Sequence, residues 1–365
     1  MPYAHITGWG MAVPERVITN ADLEKLVNTT DQWIVDRTGI KERHIVREGQ
    51  STATLAVEAS WKALAVANLK PVDIDLIICA TSTPEFIFPA TACIVQDKLG
   101  AKNAGAFDLS AACTGFIYAL NLAAQSIISG SMKNVLIIGS ETLSKFVNWN
   151  DRNTCILFGD GSGALVLQAS EQPGGVMASV LHSDGSGGEF LSLPAGGSRN
   201  PASEATIRQG QHFIHMNGKE VFRFATRVMA QATRDVLEKA DILLEDVSWI
   251  IPHQANQRII DAAARGLKLP IERFVVNLDK YGNTSTASIP IAMCEAVEDG
   301  RLKNGDKFVF VGFGAGLTWG ASVAQWTESI EEMHPIKPGY FRLFARVRSF
   351  LRRIWLRIEG LIWGK

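Results

Sequence analysis

A chain of 365 residues with 47% hydrophobic content and a formal net charge of −1 can bury a large core and hold two structural halves. Its five cysteines are scattered and include no C-x-x-C pair, which argues against a disulfide framework or a zinc site and for a reducing, cytoplasmic setting. The Gly/Pro-punctuated opening (residues 1–15) is unlike a secretory signal, and no run of ~18 apolar residues reads as a transmembrane span.

Taken in order, residues 1–20 predict a strand and turn, with Thr19 as the N-cap of a short helix. Residues 29–40 are polar around Trp33 and Arg37 and read as a surface helix and loop. A helix is expected over 51–68, a buried strand over 75–80 and a helix over 89–99. Phe107 to Leu109 read as the end of a buried strand, and Ser110 to Ala112 as a tight turn. From Thr114 to Ser129 the apolar residues Phe116, Leu120, Ala123 and Ile127 recur at helical spacing. Cys113 therefore belongs at or next to a helix N-terminus, where free N–H groups and the macrodipole favour a thiolate. A strand follows over 134–139. The glycine turn from Phe158 then leads into a strand ending at Leu167. No helix follows that turn, so it is not a phosphate-binding fingerprint.

The second half repeats this plan. Residues 248–253 answer 75–80 at an offset of 173, and 299–304 answer 129–134 at 170. After three extra residues the strand 308–312 answers 135–139, and Gly320-Ala-Ser-Val answers Gly163-Ala-Leu-Val. The 170 offset sets Cys113 opposite Asn283, and the 173 offset sets Ala80 opposite His253. Sites in open α/β sheets form beyond the carboxyl ends of strands, so these three groups are expected to converge. Residues 183–210, rich in Gly, Ser and Asn, read either as a cover over a site or as a plain long loop.

A thiol nucleophile needs activation, and a carbonyl substrate needs an oxyanion partner. His253 falls between a strand end and a helix start, and Asn283 at a turn into a helix. Papain-like proteases use the same three residue types, but they lack the duplicated strand–helix architecture.

The motifs Ala111-Ala-Cys113-Thr-Gly-Phe, Phe158-Gly-Asp-Gly-Ser-Gly-Ala, Pro252-His-Gln-Ala-Asn-Gln-Arg, Gly282-Asn-Thr-Ser-Thr-Ala-Ser and Phe313-Gly-Ala-Gly-Leu-Thr-Trp-Gly occur in order over residues 1–326. Together they resemble the 3-oxoacyl-[acyl carrier protein] synthase III family. The resemblance implies a thiolase-like, duplicated five-layered α/β/α/β/α fold, usually a homodimer. Residues 1–175 would carry the nucleophile, and 176–326 the His and Asn. It also implies a decarboxylating Claisen condensation of an acyl-CoA primer, acetyl-CoA first, with malonyl-acyl carrier protein. Cys113 would carry the acyl group, and His253 and Asn283 would stabilise the enolate left by CO2. The backbone N–H groups of Cys113 and Gly316 would hold the acylation oxyanion. Thr29, Trp33, Arg37 and Arg152 resemble the CoA contacts, and Phe88 a residue that limits the acyl pocket across the dimer. Arg223, Arg258 and Arg265 fall where the family presents cations to its carrier protein. No metal or redox cofactor is implied. Ala315 replaces a usual glycine, residues 81–88 depart from the common primer-pocket segment, and residues 327–365 have no family counterpart. Longer primers or a secondary-metabolite starter unit remain open, as does an inactive scaffold held at a membrane.

The C-terminal stretch reads as an acidic, Pro-interrupted linker over 327–339 and a basic amphipathic helix over 340–365. That helix carries six Arg and one Lys against one Glu, a net +6, which leaves −7 for the rest of the chain. On a helical wheel, Leu343, Phe344, Val347, Phe350, Leu351, Ile354, Trp355, Ile358, Leu361 and Ile362 fill one arc. All six arginines fall outside it, and Leu356 is the apolar exception. This is the pattern of a helix lying in a membrane interface, with docking on the enzyme's own body or its dimer mate as the alternative. The arginines rule out a span. An acidic body without a basic groove gives no expectation of nucleic-acid binding.

Overall fold

The computed structural model describes residues 1–327 and 338–363. Two sheets organise it. The first contains β1 (Tyr3–Ala12), β2 (Leu76–Ala80), β3 (Gly105–Leu109), β4 (Asn134–Thr142) and β5 (Asp160–Ser170), in spatial order β1-β5-β4-β2-β3. β2 runs parallel to β3 and β4, and β5 runs antiparallel to β4 and β1. The second contains β6 (Gly175–Ser183), β7 (Val247–Pro252), β8 (Lys307–Gly314) and β9 (Thr318–Gln325), in order β7-β8-β9-β6. Ile250 also bridges in parallel to Phe274, at the place that β3 occupies in the first sheet. The strand correspondences expected from the sequence repeat thus hold between the two sheets.

The helices are α1 (Asp31–Thr38), α2 (Thr52–Val66), α3 (Thr91–Leu99), α4 (Gly115–Ile128), α5 (Gly218–Lys239), α6 (Gln257–Leu267), α7 (Ser288–Glu298) and α8 (Pro338–Trp363). α4 and α7 lie between the sheets, where Phe116, Leu120 and Met293 meet Ile78, Ile137 and Phe310. α2 and α3 cover the outer face of the first sheet through Trp61, Leu64 and Leu99 on Ile77 and Leu136. α5 and α6 cover the second through Val228 and Ile259 on Ile250 and Val309. Central strands buried on both faces read as unbroken apolar runs, as 76–80 and 308–311 do. The result is the five-layered α/β/α/β/α arrangement of a thiolase-like fold.

Two expectations change. β3 is an edge strand rather than a buried one, and Phe107 on it is exposed. Its two short apolar residues before the Cys113 turn look like core in sequence, but no strand among the described residues covers its far side. The linker expected over 327–339 falls mostly on 328–337, outside the described residues.

Candidate active site

Cys113 is delivered by an unusual turn. Ala112 has φ of +48°, a left-handed conformation that a β-carbon disfavours, and opens the 3₁₀ turn Ala112–Thr114 between β3 and α4. The second half repeats the device. Ser285, with φ of +51°, opens the 3₁₀ turn Ser285–Ala287 ahead of α7. These residues stand 173 apart, the offset of the paired strands β2 and β7. The true counterpart of Cys113 is therefore Thr286, and the expected Cys113–Asn283 equivalence is corrected. The three-residue difference arises inside the helices, because α4 is longer than α7.

The loop after β8 passes directly over the nucleophile. A Cβ at Gly314 would sit 2.7 Å from the Cys113 backbone nitrogen, so only glycine allows this approach. Gly316, with φ of +137°, continues the loop, and Ala315 faces the cavities beside the thiol.

Burial pushes the Cys113 thiol up to about 12, reinforced by the Glu141 charge. The resting thiolate expected from the helix N-terminus is thus corrected to a neutral thiol, because loss of solvent outweighs the helix field. A raised pKa means that the thiolate fraction grows only as pH climbs past that of an ordinary thiol. Alkylation of Cys113 by iodoacetamide, followed by peptide mass spectrometry without substrate, should therefore still be accelerating at pH 10. A rate already level at pH 7 would show that the thiolate is preformed.

His253 follows the last residue of β7, its N–H bonded to the Val311 carbonyl at 2.8 Å. The Ser288 hydroxyl accepts from the Gln254 N–H at 3.3 Å and lies 2.7 Å from His253 Nδ1. Ser288 thus fixes the ring through Nδ1 and leaves Nε2 as the ring nitrogen available to the cavity that His253 lines. Nε2 is buried and has no partner among the described residues. Burial lowers the imidazole to about 3, so the ring is a neutral donor throughout the physiological range. Asn283 is oriented in a comparable way. Its Oδ1 accepts the Ser285 N–H at 2.8 Å, which turns the amide NH2 outward, and its backbone is fixed to Leu157 and Gly159.

Cys113, His253, Asn283 and Phe313 line one cavity of about 90 Å³. Behind the thiol a second cavity of about 120 Å³ is walled by Leu143, Phe146, Leu191, Leu193 and Ile214. Leu191 and Leu193 show that the 183–210 excursion is a cover over the site. Outside, a cleft of about 460 Å³ is lined by Trp33, Arg37, Phe222, Asn256 and Arg258. It shares Phe222 and Asn256 with the inner cavity, so the two form one path to the thiol. The Arg37 and Arg152 guanidinium carbons stand 5.1 and 5.0 Å from the Trp33 ring centroid. Thr29 precedes α1 without lining the cleft, and its hydroxyl is buried without a partner among the described residues.

Of the expected carrier-protein contacts, Arg258 reaches the cleft and lies 5.2 Å from the Phe222 ring. Arg223 stands exposed next to Phe222, paired with Glu220 at 2.9 Å. Arg265 is exposed two turns along α6 and does not line the cleft. Phe88 is 84% exposed and lines none of its own chain's cavities described here.

Reasoning from sequence missed Glu141, which lies fully buried beneath the site. Its carboxylate accepts from the Ser285 hydroxyl at 3.0 Å, the Ser82 N–H at 3.0 Å and the Thr83 hydroxyl at 2.5 Å. Burial raises it to about 7 against these hydrogen bonds. The available signal was an acid ending the apolar run of β4. Asp160, inside the glycine motif, is likewise structural: it ties Ser144 and the Val46 N–H together.

Family models for 3-oxoacyl-[acyl-carrier-protein] synthase III match residues 107–185, and those for its C-terminal part match 237–326. A beta-ketoacyl-[acyl-carrier-protein] synthase III of Caldanaerobacter subterraneus is 55% identical over 89% of this chain and 98% of its own. The chain belongs to the 3-oxoacyl-[acyl-carrier-protein] synthase III family. Among solved structures, the synthase III of Aquifex aeolicus is 49% identical at a TM-score of 0.82, covering 88% of this chain and all of that one. The priming beta-ketosynthase of the R1128 polyketide pathway is 34% identical at 0.83, covering 89% and 97%. The family match ends at Trp326, so α8 lies beyond it.

Proposed function

We propose that the chain catalyses the decarboxylating condensation that starts fatty acid synthesis, joining an acyl-CoA, acetyl-CoA first, to malonyl-acyl carrier protein. The observation that carries this reading is the buried, unpartnered His253 Nε2 sharing one small cavity with Cys113 and Asn283. In the first half-reaction the Cys113 sulfur takes the acyl group and the thiol proton leaves on the CoA sulfur. The backbone N–H groups of Cys113 and Gly316 hold the oxyanion. In the second, the malonyl C–C bond breaks to release CO2. Neutral donors at His253 and Asn283 stabilise the enolate, where a carboxylate would repel it. The enolate carbon attacks the acyl thioester, and the Cys113 sulfur leaves and regains a proton. The reading uses no metal or redox cofactor, because thioester exchange and CO2 loss drive it.

Trp33, Arg37 and Arg152 would sandwich the CoA base, with Thr29, its hydroxyl buried off the cleft, supporting the start of α1 beside them. Arg223, Arg258 and Arg265 would steer the acidic carrier protein to the cleft. Phe86, Ile87, Phe88 and Phe107 form exposed apolar surface near edge strand β3, which supports a homodimer with Phe88 at the partner's acyl pocket. The setting is the cytoplasm, with residues 340–365 touching a membrane. Condensation with malonyl-carrier protein, assayed across primers of increasing length, tests the substrate assignment. Acetyl-CoA should turn over fastest, since the cavity behind Cys113 is small. A clear preference for long primers would favour a secondary-metabolite starter role instead, and no product from any primer would favour a scaffold.

A further inference from the structure

Helix α8 meets the body with its polar side. Ala345 packs on Gly100, just past α3, where a Cβ at Gly100 would come within 3.3 Å of the Ala345 Cβ. The Ser349 hydroxyl donates to Asp97 at 2.5 Å, and Arg348 pairs with the same carboxylate at 3.4 Å. These contacts lie on one edge of the helix, and beside them an open groove of about 910 Å³ separates α8 from Trp61 and Lys62 of α2. The contact is short and polar.

The apolar side points the other way. At 3.6 residues per turn, Val347, Phe350, Leu351, Ile354, Trp355 and Ile358 occupy an arc of about 140° centred opposite Ala345 and Ser349. All six are exposed, Phe350 at 60% and Trp355 at 58%. The apolar face therefore does not dock on its own chain's body, which leaves the dimer mate as the competing occupant that the light-scattering arm below decides. Arg353 and Arg357 border the arc on one side, and Arg348 and Arg352 on the other. Such flanking cations suit a layer of anionic headgroups above an apolar interior. A protein groove would need acids matched along both margins over several turns. Glu359 is the single acid within α8. No described helix is long and apolar enough to cross a membrane, so the mode is interfacial.

We propose that α8 is a lipid-interface helix, its outward Phe350/Ile354/Trp355 face inserted among the headgroups of an anionic membrane and its bordering arginines held by lipid phosphates. This deepens the membrane contact proposed above and is independent of the condensing chemistry.

The test uses the full-length chain and sucrose-loaded vesicles of phosphatidylglycerol with phosphatidylcholine, or of phosphatidylcholine alone. Wild-type protein should pellet with the anionic vesicles about tenfold or more better than with the neutral ones, and 0.5 M salt should release it. Phe350→Gln/Ile354→Gln/Trp355→Gln should abolish pelleting while condensation proceeds at the wild-type rate. Arg352→Glu/Arg353→Glu should lower it by about tenfold. Equal pelleting on both vesicle types would leave a membrane contact but overturn the anionic mode. Failure of the wild type to pellet would overturn the membrane contact itself. If light scattering without lipid shows the triple Gln variant at half the wild-type mass, the face seals copies of the chain together and the proposal falls.

Discussion

Cys113→Ser is expected to abolish acyl transfer, with about 10⁴-fold or greater loss, and to leave the fold intact. The exchange nearly conserves volume in a buried turn, so circular dichroism and thermal midpoint should hold. What disappears is the group able to ionise. A serine hydroxyl needs a neighbouring base, and burial, which lowers the His253 imidazole to about 3, leaves that ring too weak a base to serve. Mass spectrometry after incubation with acetyl-CoA should find one acetyl group on the wild-type peptide containing Cys113 and none on the variant. Transfer within tenfold of wild type would place the nucleophile elsewhere.

His253→Ala and Asn283→Ala should separate the two half-reactions. Each variant should still acylate Cys113, while CO2 release from malonyl-carrier protein falls by about 10² to 10³, as expected when one oriented donor to an oxyanion is lost. Because burial holds His253 near 3, it stays neutral from pH 5 to 8. His253 should then contribute no inflection near 6.5, where a free imidazole titrates, and an inflection near 7 that Glu141→Gln removes belongs to Glu141. Release of labelled CO2 measured beside acyl-enzyme formation checks both points. A variant that lost acylation and kept decarboxylation would reverse the roles assigned here.

Much of this was legible in the sequence because the fold is written twice. The paired runs 75–80 and 248–253 locate matching strands, and residues after such strands in a doubled sheet belong to a site. That logic places Cys113 and His253 together without any coordinates. It fails by three residues at Asn283, since the length difference between α4 and α7 is hidden in helical sequence. Phe107 reads as core because sequence does not say which strand ends a sheet. The ionisation of Cys113 was misjudged for a related reason: a helix start is visible in sequence, but the desolvation around it is assembled from Gly314, Ser285 and the layers above. For α8, periodicity revealed the apolar face and not its direction, which is set by Asp97 on α3 and Gly100 just past it.

The two left-handed turns have a consequence for how the site tolerates motion. A Cβ at Gly139 would meet the Thr286 carbonyl at 2.5 Å, so β4 and the second turn are in close backbone contact. Glu141, two residues along that strand, grips Ser285, whose N–H in turn aims Asn283. The turn that aims Asn283 and the strand beside the nucleophile therefore share one buried anchor at Glu141, whose reach extends to both ends of the site.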